Sequence, residues 1–367
     1  MRRIWRALVL LIPVALLGVF GITRAAEDEG PAAHLPPHIR RLTLFGERAD
    51  WSPDGRRILF LSKTYGDAYE IDVESGQLRL LTGGYPHAGY TRALYLVNGH
   101  VLLSGAPTFD PANPGWSRGH AELSVLDPDG EAPPTPLGTL CSEGPAVSRQ
   151  RLHIAWTITH RQYPDRLPEG TSQIREADIV YDEDRPRLAH ERVVLDSRDL
   201  PFACTLESQS FRPPDERELT FSTYDYNVSE AFGVDLATGE TTNYTRTPDL
   251  YEEPEGIFPD GAWTTIETDR ENGMEGAGHQ YIDVWRLALD GSGRVERLTE
   301  FNRFPGFKAT NPVVRDDGRF MAFQMAKVGD PAGVGRGIFL YELKGSPESG
   351  VLIPSKRKPS RRDDGNP

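Results

Sequence analysis

One unit recurs six times along this chain, and a sequence built that way folds as a repeat array. The full unit has an apolar residue, a Pro/Asp/Gly turn, a β-rich run, a second strand, another Gly turn and a closing Leu-Thr. The clearest copy starts at Trp51-Ser52-Pro53-Asp54-Gly55, continues through Ile58–Leu61 and Tyr69–Val73, turns at Ser75-Gly76 and ends at Leu80-Leu81-Thr82. Asp-Gly supplies positive φ for a hairpin turn, and the β-branched and aromatic run after it suits a strand buried between sheets. The last copy holds Asp316-Asp317-Gly318, Phe320–Phe323 and Gly337–Tyr341. Two more start near Phe211 and Phe258, and two degraded copies near Leu94 and Ala146. The spacing, roughly 43 to 65 residues, suits four-stranded propeller blades.

The final unit stops at Leu343 without its Leu-Thr strand, and such a strand stands instead at the start, in Ile39-Arg40-Arg41-Leu42-Thr43. An open circular array exposes two sheet edges, and an outer strand supplied from the N-terminus closes the ring and removes them. A solenoid has no use for a displaced strand. The expected fold is therefore an all-β, six-bladed β-propeller of four-stranded antiparallel blades over residues 39–343.

The Ser52-Pro53-Asp54-Gly55 turn, the Leu-Thr strand ends and the N-terminal closure resemble TolB-like, WD-related propellers. The resemblance covers residues 39–343 and departs from the pattern in the third and fourth units, which lack the Asp-Gly turn. It implies a fold rather than an activity, because such propellers serve as scaffolds, as sugar-processing enzymes and as accessory domains of peptidases.

The chain ends have other roles. Arg2, Arg3 and Arg6 precede the apolar run Ala7–Ile22, and small residues follow at Thr23-Arg24-Ala25-Ala26, the pattern of an export signal over residues 1–26. The expected location is periplasmic or extracellular, with membrane attachment only where the signal is retained. Residues 27–38 read as a linker, and residues 344–367, with Lys356-Arg357-Lys358 and Arg361-Arg362 among Ser, Pro and Gly, as a disordered basic tail. A net charge of −13 disfavours a generic grip on nucleic acid, which needs clustered Lys and Arg. Cys141 and Cys204 are the only cysteines, and they fall six residues before Val147 and seven before Phe211. Matching places in neighbouring blades of an exported chain suggest a disulfide.

In a propeller the segment entering each innermost strand lines one mouth of the central channel. These segments contain Arg48, Glu143, Glu207, Glu255, Lys308 and Asn311. Three glutamates from adjacent blades facing two cations suit a divalent cation, a sugar, or acid/base chemistry; the bland alternative is a solvated mouth whose charges pair with one another. Glu267 and Asp269 share a strand face and either extend this group or make structural hydrogen bonds. Long insertions at 106–120, 160–177 and 271–280 are long enough to be functional loops. His34 and His38 flank two prolines and cannot share a helix face, so no zinc motif stands out. A Gly-x-Ser-x-Gly elbow is missing, and Gly333–Gly337 lacks the Lys-Ser/Thr ending of a phosphate loop.

Two readings of function stay open. One is a non-enzymatic binding or scaffold propeller for a protein or glycan. The other is a sugar-active enzyme, a lyase or hydrolase, with Glu143, Glu207 and Glu255 as acid/base or metal-binding groups and Lys308 or Arg48 pairing a substrate carboxylate.

Overall fold

A computed structural model describes residues 30–130, 132–271, 278–330 and 333–343. Among them, 24 strands form six four-stranded antiparallel sheets. In blade 1 the strands run from the axis outward as Glu47–Trp51, Arg57–Leu61, Ala68–Asp72 and Leu78–Leu80. The innermost strands of blades 2 to 6 are Arg92–Tyr95, Ala146–Val147, Thr205–Phe211, Glu252–Ile257 and Phe307–Val314.

The side chains close the ring as clearly as the backbone. Six buried apolar clusters occupy the six spaces between neighbouring blades, among the described residues. The space between blades 6 and 1 is filled by Trp51, Ile58 and Phe60 against Ala322, Ile338 and Leu340. No blade is left with an uncovered face. The fold is the six-bladed ring that the resemblance to TolB-like propellers implies.

Ile39–Arg41 is the outer strand of blade 6, pairing antiparallel with Ile338–Glu342 in the register Ile39↔Tyr341, Arg40↔Leu340 and Arg41↔Phe339. Leu42 and Thr43, expected to continue the strand, leave the ladder after Arg41. They stay attached, because both of their N–H groups donate to the Ile338 carbonyl, at 2.8 and 3.3 Å.

The recurring terminal threonine has a common role. The hydroxyls of Thr82, Thr245 and Thr299 each accept the N–H of a residue on the third strand of their blade, Ala68, Ala231 and Val284, at 3.0–3.1 Å. Each hydroxyl then donates to a buried or half-buried acid, Asp67, Glu230 or Asp283 respectively. Thr43 fills the acceptor role for Ile338 in blade 6. A buried N–H left unpaired costs free energy, so a threonine after the outer strand is a solution to one hydrogen-bonding problem repeated in four blades, with Ser197 taking the N–H of Ser172 in the third.

The expected disulfide is not formed. Cys141 is buried among Leu96, Leu102, Ile154 and Trp156, between blades 2 and 3, whereas Cys204 lies with Ala146, Leu206 and Phe211, between blades 3 and 4. Equivalent positions in successive blades belong to different inter-blade layers, and packed sheets stand about 10 Å apart, beyond the roughly 7 Å Cα limit of a disulfide. Burial, first of all, pushes the Cys204 thiol up to about 12 and the Cys141 thiol higher still.

The insertion of the third unit, expected over 160–177, is shorter as a loop, because the strand Ser172–Asp182 begins inside it and pairs with a long outer strand, Arg185–Asp196. The loop that remains spans 160–171. The export pattern and the basic tail lie outside the described residues, and among the described residues no helix is long and apolar enough to cross a membrane.

Candidate ligand site in the central channel

Four of the six innermost strands carry a register shift part-way along, between Glu47 and Asp50, Ser208 and Ser210, Pro254 and Ile257, and Thr310 and Val313. A bulge leaves its extra residue unpaired and re-aims the side chains around it. In three of these strands an N–H at or beside the shift crosses to the second strand of the preceding blade. Arg48 N–H donates to Gln324 Oε1 at 2.5 Å, Ser208 N–H to Thr157 Oγ1 at 3.0 Å, and Asn311 N–H to Glu267 Oε1 at 2.5 Å. Arg48 and Asn311 sit at φ 56° and 48°, a left-handed conformation uncommon outside glycine. The local strain is held by these side-chain acceptors, and it turns both residues into the channel.

The strands also approach one another closely around the axis. A Cβ at Gly144 would lie 2.7 Å from the Ser208 carbonyl and 2.9 Å from Glu207 Oε1, and one at Gly256 would lie 2.8 Å from the Pro312 carbonyl. Glycine at these two places lets neighbouring innermost strands converge.

Two chambers result. The upper one, about 430 Å³, is lined by Glu47, Arg118, Glu143, Glu207, Glu253, Glu267 and Lys308 among others. A lower one, about 310 Å³, is lined on its polar side by Asp50, Arg149, Glu255 and Asp316. Arg48, Arg92 and Asn311 line both and form the partition. The upper chamber lies at the end where innermost strands begin, which is also where each second strand turns into its third. The insertions 106–120 and 160–171 are turns of that kind, as are the described ends of 271–280, and they start from this end of the channel.

All six residues singled out from the sequence lie in the channel. Arg48 and Asn311 stand at the partition, Glu143, Glu207 and Lys308 in the upper chamber and Glu255 in the lower. Glu143 is bound by ion pairs, to Arg118 of the short helix Pro114–Gly119 and, at 4.0 Å, to Arg48. Glu207 is 5% exposed, with Arg92 at 3.7 Å from Oε1, and that oxygen has no hydrogen-bond donor.

The tightest group is different from the predicted trio of Glu143, Glu207 and Glu255. Carboxylate oxygens of Glu253, Glu255 and Glu267 all lie within 4.8 Å of one another. Glu267 is the cross-strand partner of Glu253, and Glu255 lies in the register shift that follows Pro254. Asp269, its strand neighbour, takes the structural option, accepting from Tyr251 N–H at 3.0 Å and bonding His279 Nδ1 at 2.6 Å.

Neutral groups hold this trio in place. Gln209 Nε2 and the Tyr224 hydroxyl donate to Glu253 Oε1 at 3.1 and 2.6 Å, and the Tyr251 hydroxyl donates to Oε2. Asn311 Nδ2 donates to Glu255 Oε1 at 3.1 Å. Burial and then the neighbouring carboxylates push both tyrosines well up, so they remain donors. Burial is also the main reason the Glu267 carboxyl rises to about 8, with the Glu253 charge adding to it. Glu207 and Glu255 rise well above the usual carboxylate range for the same two reasons. Burial opposes the Arg92 charge, but Glu255, Glu207, Glu143 and Glu253 outweigh it and keep the guanidinium protonated.

Sequence reasoning missed Glu253 as a ligand candidate, although its alternation with Glu255 was readable. Arg118, Tyr224 and Tyr251 had no such signal, because they come from an insertion and from strand ends outside the aligned segments. Of the three histidines in the long insertions, His279 lines the chamber, His120 stacks on Trp116 at 4.1 Å and His160 Nδ1 bonds the Leu167 carbonyl at 2.7 Å.

No protein-family model matches the sequence, and no curated protein matches it. Solved structures do match. A gluconolactonase from Xanthomonas campestris aligns over 83% of this chain and 88% of its own at 12% identity, with a TM-score of 0.53. TolB from Acinetobacter baumannii aligns over 78% and 65% at 19% identity (TM-score 0.45), and an oligogalacturonate lyase from Vibrio parahaemolyticus over 85% and 94% at 12% (TM-score 0.48). At these identities the likeness concerns the propeller fold alone. The proteins named include enzymes and TolB, and a shared fold does not choose between such roles.

Proposed function

We propose that this chain is an exported binding propeller whose upper chamber takes one acidic sugar unit of a glycan. The observation that carries the reading is the chamber itself. At about 430 Å³ it falls in the range of small-molecule sites. Its lining suits a carboxylated, hydroxyl-rich ligand. Arg48, Arg92 and Lys308 supply positive charge for a carboxylate, and Glu143, Glu207 and Asn311 supply hydrogen-bonding partners for hydroxyls. The export pattern in residues 1–26 supports a periplasmic or extracellular setting, where glycans of this kind are met.

A second reading, a sugar-active lyase or hydrolase, draws on one observation. Three carboxyl groups converge within 4.8 Å beside the chamber, and closely set carboxyl groups are what acid/base cleavage of a glycosidic bond employs.

The test is titration of the purified chain with a panel of neutral and uronic-acid-bearing oligosaccharides, with product analysis on the same samples. Saturable binding of acidic members, weakened by Arg92→Gln in a variant that still melts cooperatively, supports the binding reading. Turnover of a bound sugar moves the assignment to the enzyme. Absence of binding by every acidic member overturns both.

A further inference from the structure

We propose that Glu253, Glu255 and Glu267 form a binding site for one divalent cation of the calcium class at the partition between the two chambers, with Glu207 as a fourth carboxylate beside it. The site stands on geometry independent of the sugar reading. Three oxygens within 4.8 Å of one another fit around a single ion. Ligand oxygens around one Ca²⁺ lie up to about 4.6 to 5.2 Å apart, so three within that span can share an ion, and the flexible Ca²⁺ shell accepts irregular spacing where Mg²⁺ demands a near-ideal octahedron. The donor set is all oxygen, which selects hard cations over zinc or copper. The one histidine lining the upper chamber, His279, has its Nδ1 engaged with Asp269.

The way the trio is held points the same way. Among the described residues no Arg or Lys makes an ion pair within 4 Å of Glu253, Glu255 or Glu267, and Arg92, Arg48 and Lys308 act on Glu255 and Glu267 only from farther off. The trio's hydrogen-bond partners are amides, phenols and a backbone N–H, each occupying part of a carboxylate and leaving lone pairs for another partner. Glu255 Oε2 and Glu267 Oε2 receive no donor among these bonds. Such outer partners orient metal ligands without neutralising them.

A second observation is Glu207. This side chain is more than nine-tenths buried, and its Oε1 lacks any hydrogen-bond donor while facing the same chamber as Glu253 and Glu267. Buried polar atoms in folded proteins are nearly always satisfied, so an exception calls for a partner. Arg92, at 3.7 Å, is too far to donate. A cation among the trio, directly or through its water, gives that oxygen its missing partner.

The test uses the metal alone, so its outcome is separate from that of any sugar titration. The full chain, stripped with chelator, is titrated with Ca²⁺ and with Mg²⁺ by calorimetry, and the melting temperature is followed in parallel. One Ca²⁺ per chain should bind, tighter than about 1 mM and in preference to Mg²⁺, and should raise the melting temperature. Glu253→Gln and Glu255→Gln should each weaken binding about tenfold or more, and Glu296→Gln, on an outer strand, should not. Absence of saturable binding to the wild-type chain, or unchanged affinity in a folded Glu253→Gln/Glu255→Gln double variant, overturns the proposal. The wild-type titration decides even where a variant fails to fold.

Discussion

The Thr43 hydroxyl accepts the N–H of Ile338 at 2.9 Å, joining two residues 295 positions apart in the chain. Thr82, Thr245 and Thr299 make the same bond within single blades. Thr43 thus makes the N-terminal segment a chemical part of the last blade as well as a geometric one. Thr43→Val, which keeps the shape and removes the acceptor, should cost about 1–3 kcal/mol, and Thr82→Val should cost a similar amount. Urea unfolding of both variants checks this, and a much smaller loss at Thr43 would mean that the closure is held by the strand ladder alone.

The two cysteines give a direct prediction about the inter-blade layers. In non-reduced protein a thiol reagent at pH 8 should find almost nothing to react with in the native state and two thiols after denaturation. Burial and high thiol pKa values account for the first result, and their separation in different layers for the second. Zero thiols after denaturation would show a disulfide.

Glu267 makes the metal-free protein sensitive to alkali. Its folded carboxyl titrates at about 8, while an unfolded one titrates near 4.3. A raised carboxyl favours folding fully below the unfolded value, and that contribution is lost as pH rises through the folded one. In chelator, wild-type stability should therefore fall between about pH 4.3 and 8 relative to Glu267→Gln, leaving the variant the more stable at pH 9. Thermal melts across that range measure the gap, and a gap independent of pH would contradict the assignment.

Much of this architecture was legible because each repeat feature has a local cause. The Asp54-Gly55 turn, the Leu81-Thr82 ending and the displaced copy at Leu42-Thr43 report on backbone conformation and hydrogen bonding within one blade, and these are short-range matters. Aligning the segments before the innermost strands was enough to put Arg48, Glu143, Glu207, Glu255, Lys308 and Asn311 in the channel. What could not be read was which of them meet. The bulges at Arg48 and Asn311 rotate side chains by amounts that no alternation pattern encodes, and Arg118 reaches Glu143 from a loop in another blade. The disulfide expectation failed for a related reason: equal offsets in two repeats imply equal positions in two blades, and equal positions in successive blades face different layers.

Gly144 offers a probe of how tightly the channel is set. A methyl group there would meet Glu207 Oε1 and the Ser208 carbonyl, both at under 3 Å. Gly144→Ala should leave the ring folded, destabilise it by about 1–3 kcal/mol as overpacking does, and shift Glu207 enough to weaken chamber ligands. Unfolding and binding measured on the same sample separate the two effects; full retention of both would mean that the innermost strands yield easily.

The central claim, that the upper chamber receives an acidic sugar unit, is tested most directly by a crystal structure of the chain grown with a saturating uronic-acid disaccharide. The account predicts sugar density inside the chamber, with its carboxylate in hydrogen-bonding reach of Arg48, Arg92 or Lys308 and its hydroxyls on Glu143, Glu207 or Asn311. A chamber filled only with water, or a sugar bound elsewhere on the ring, would contradict it.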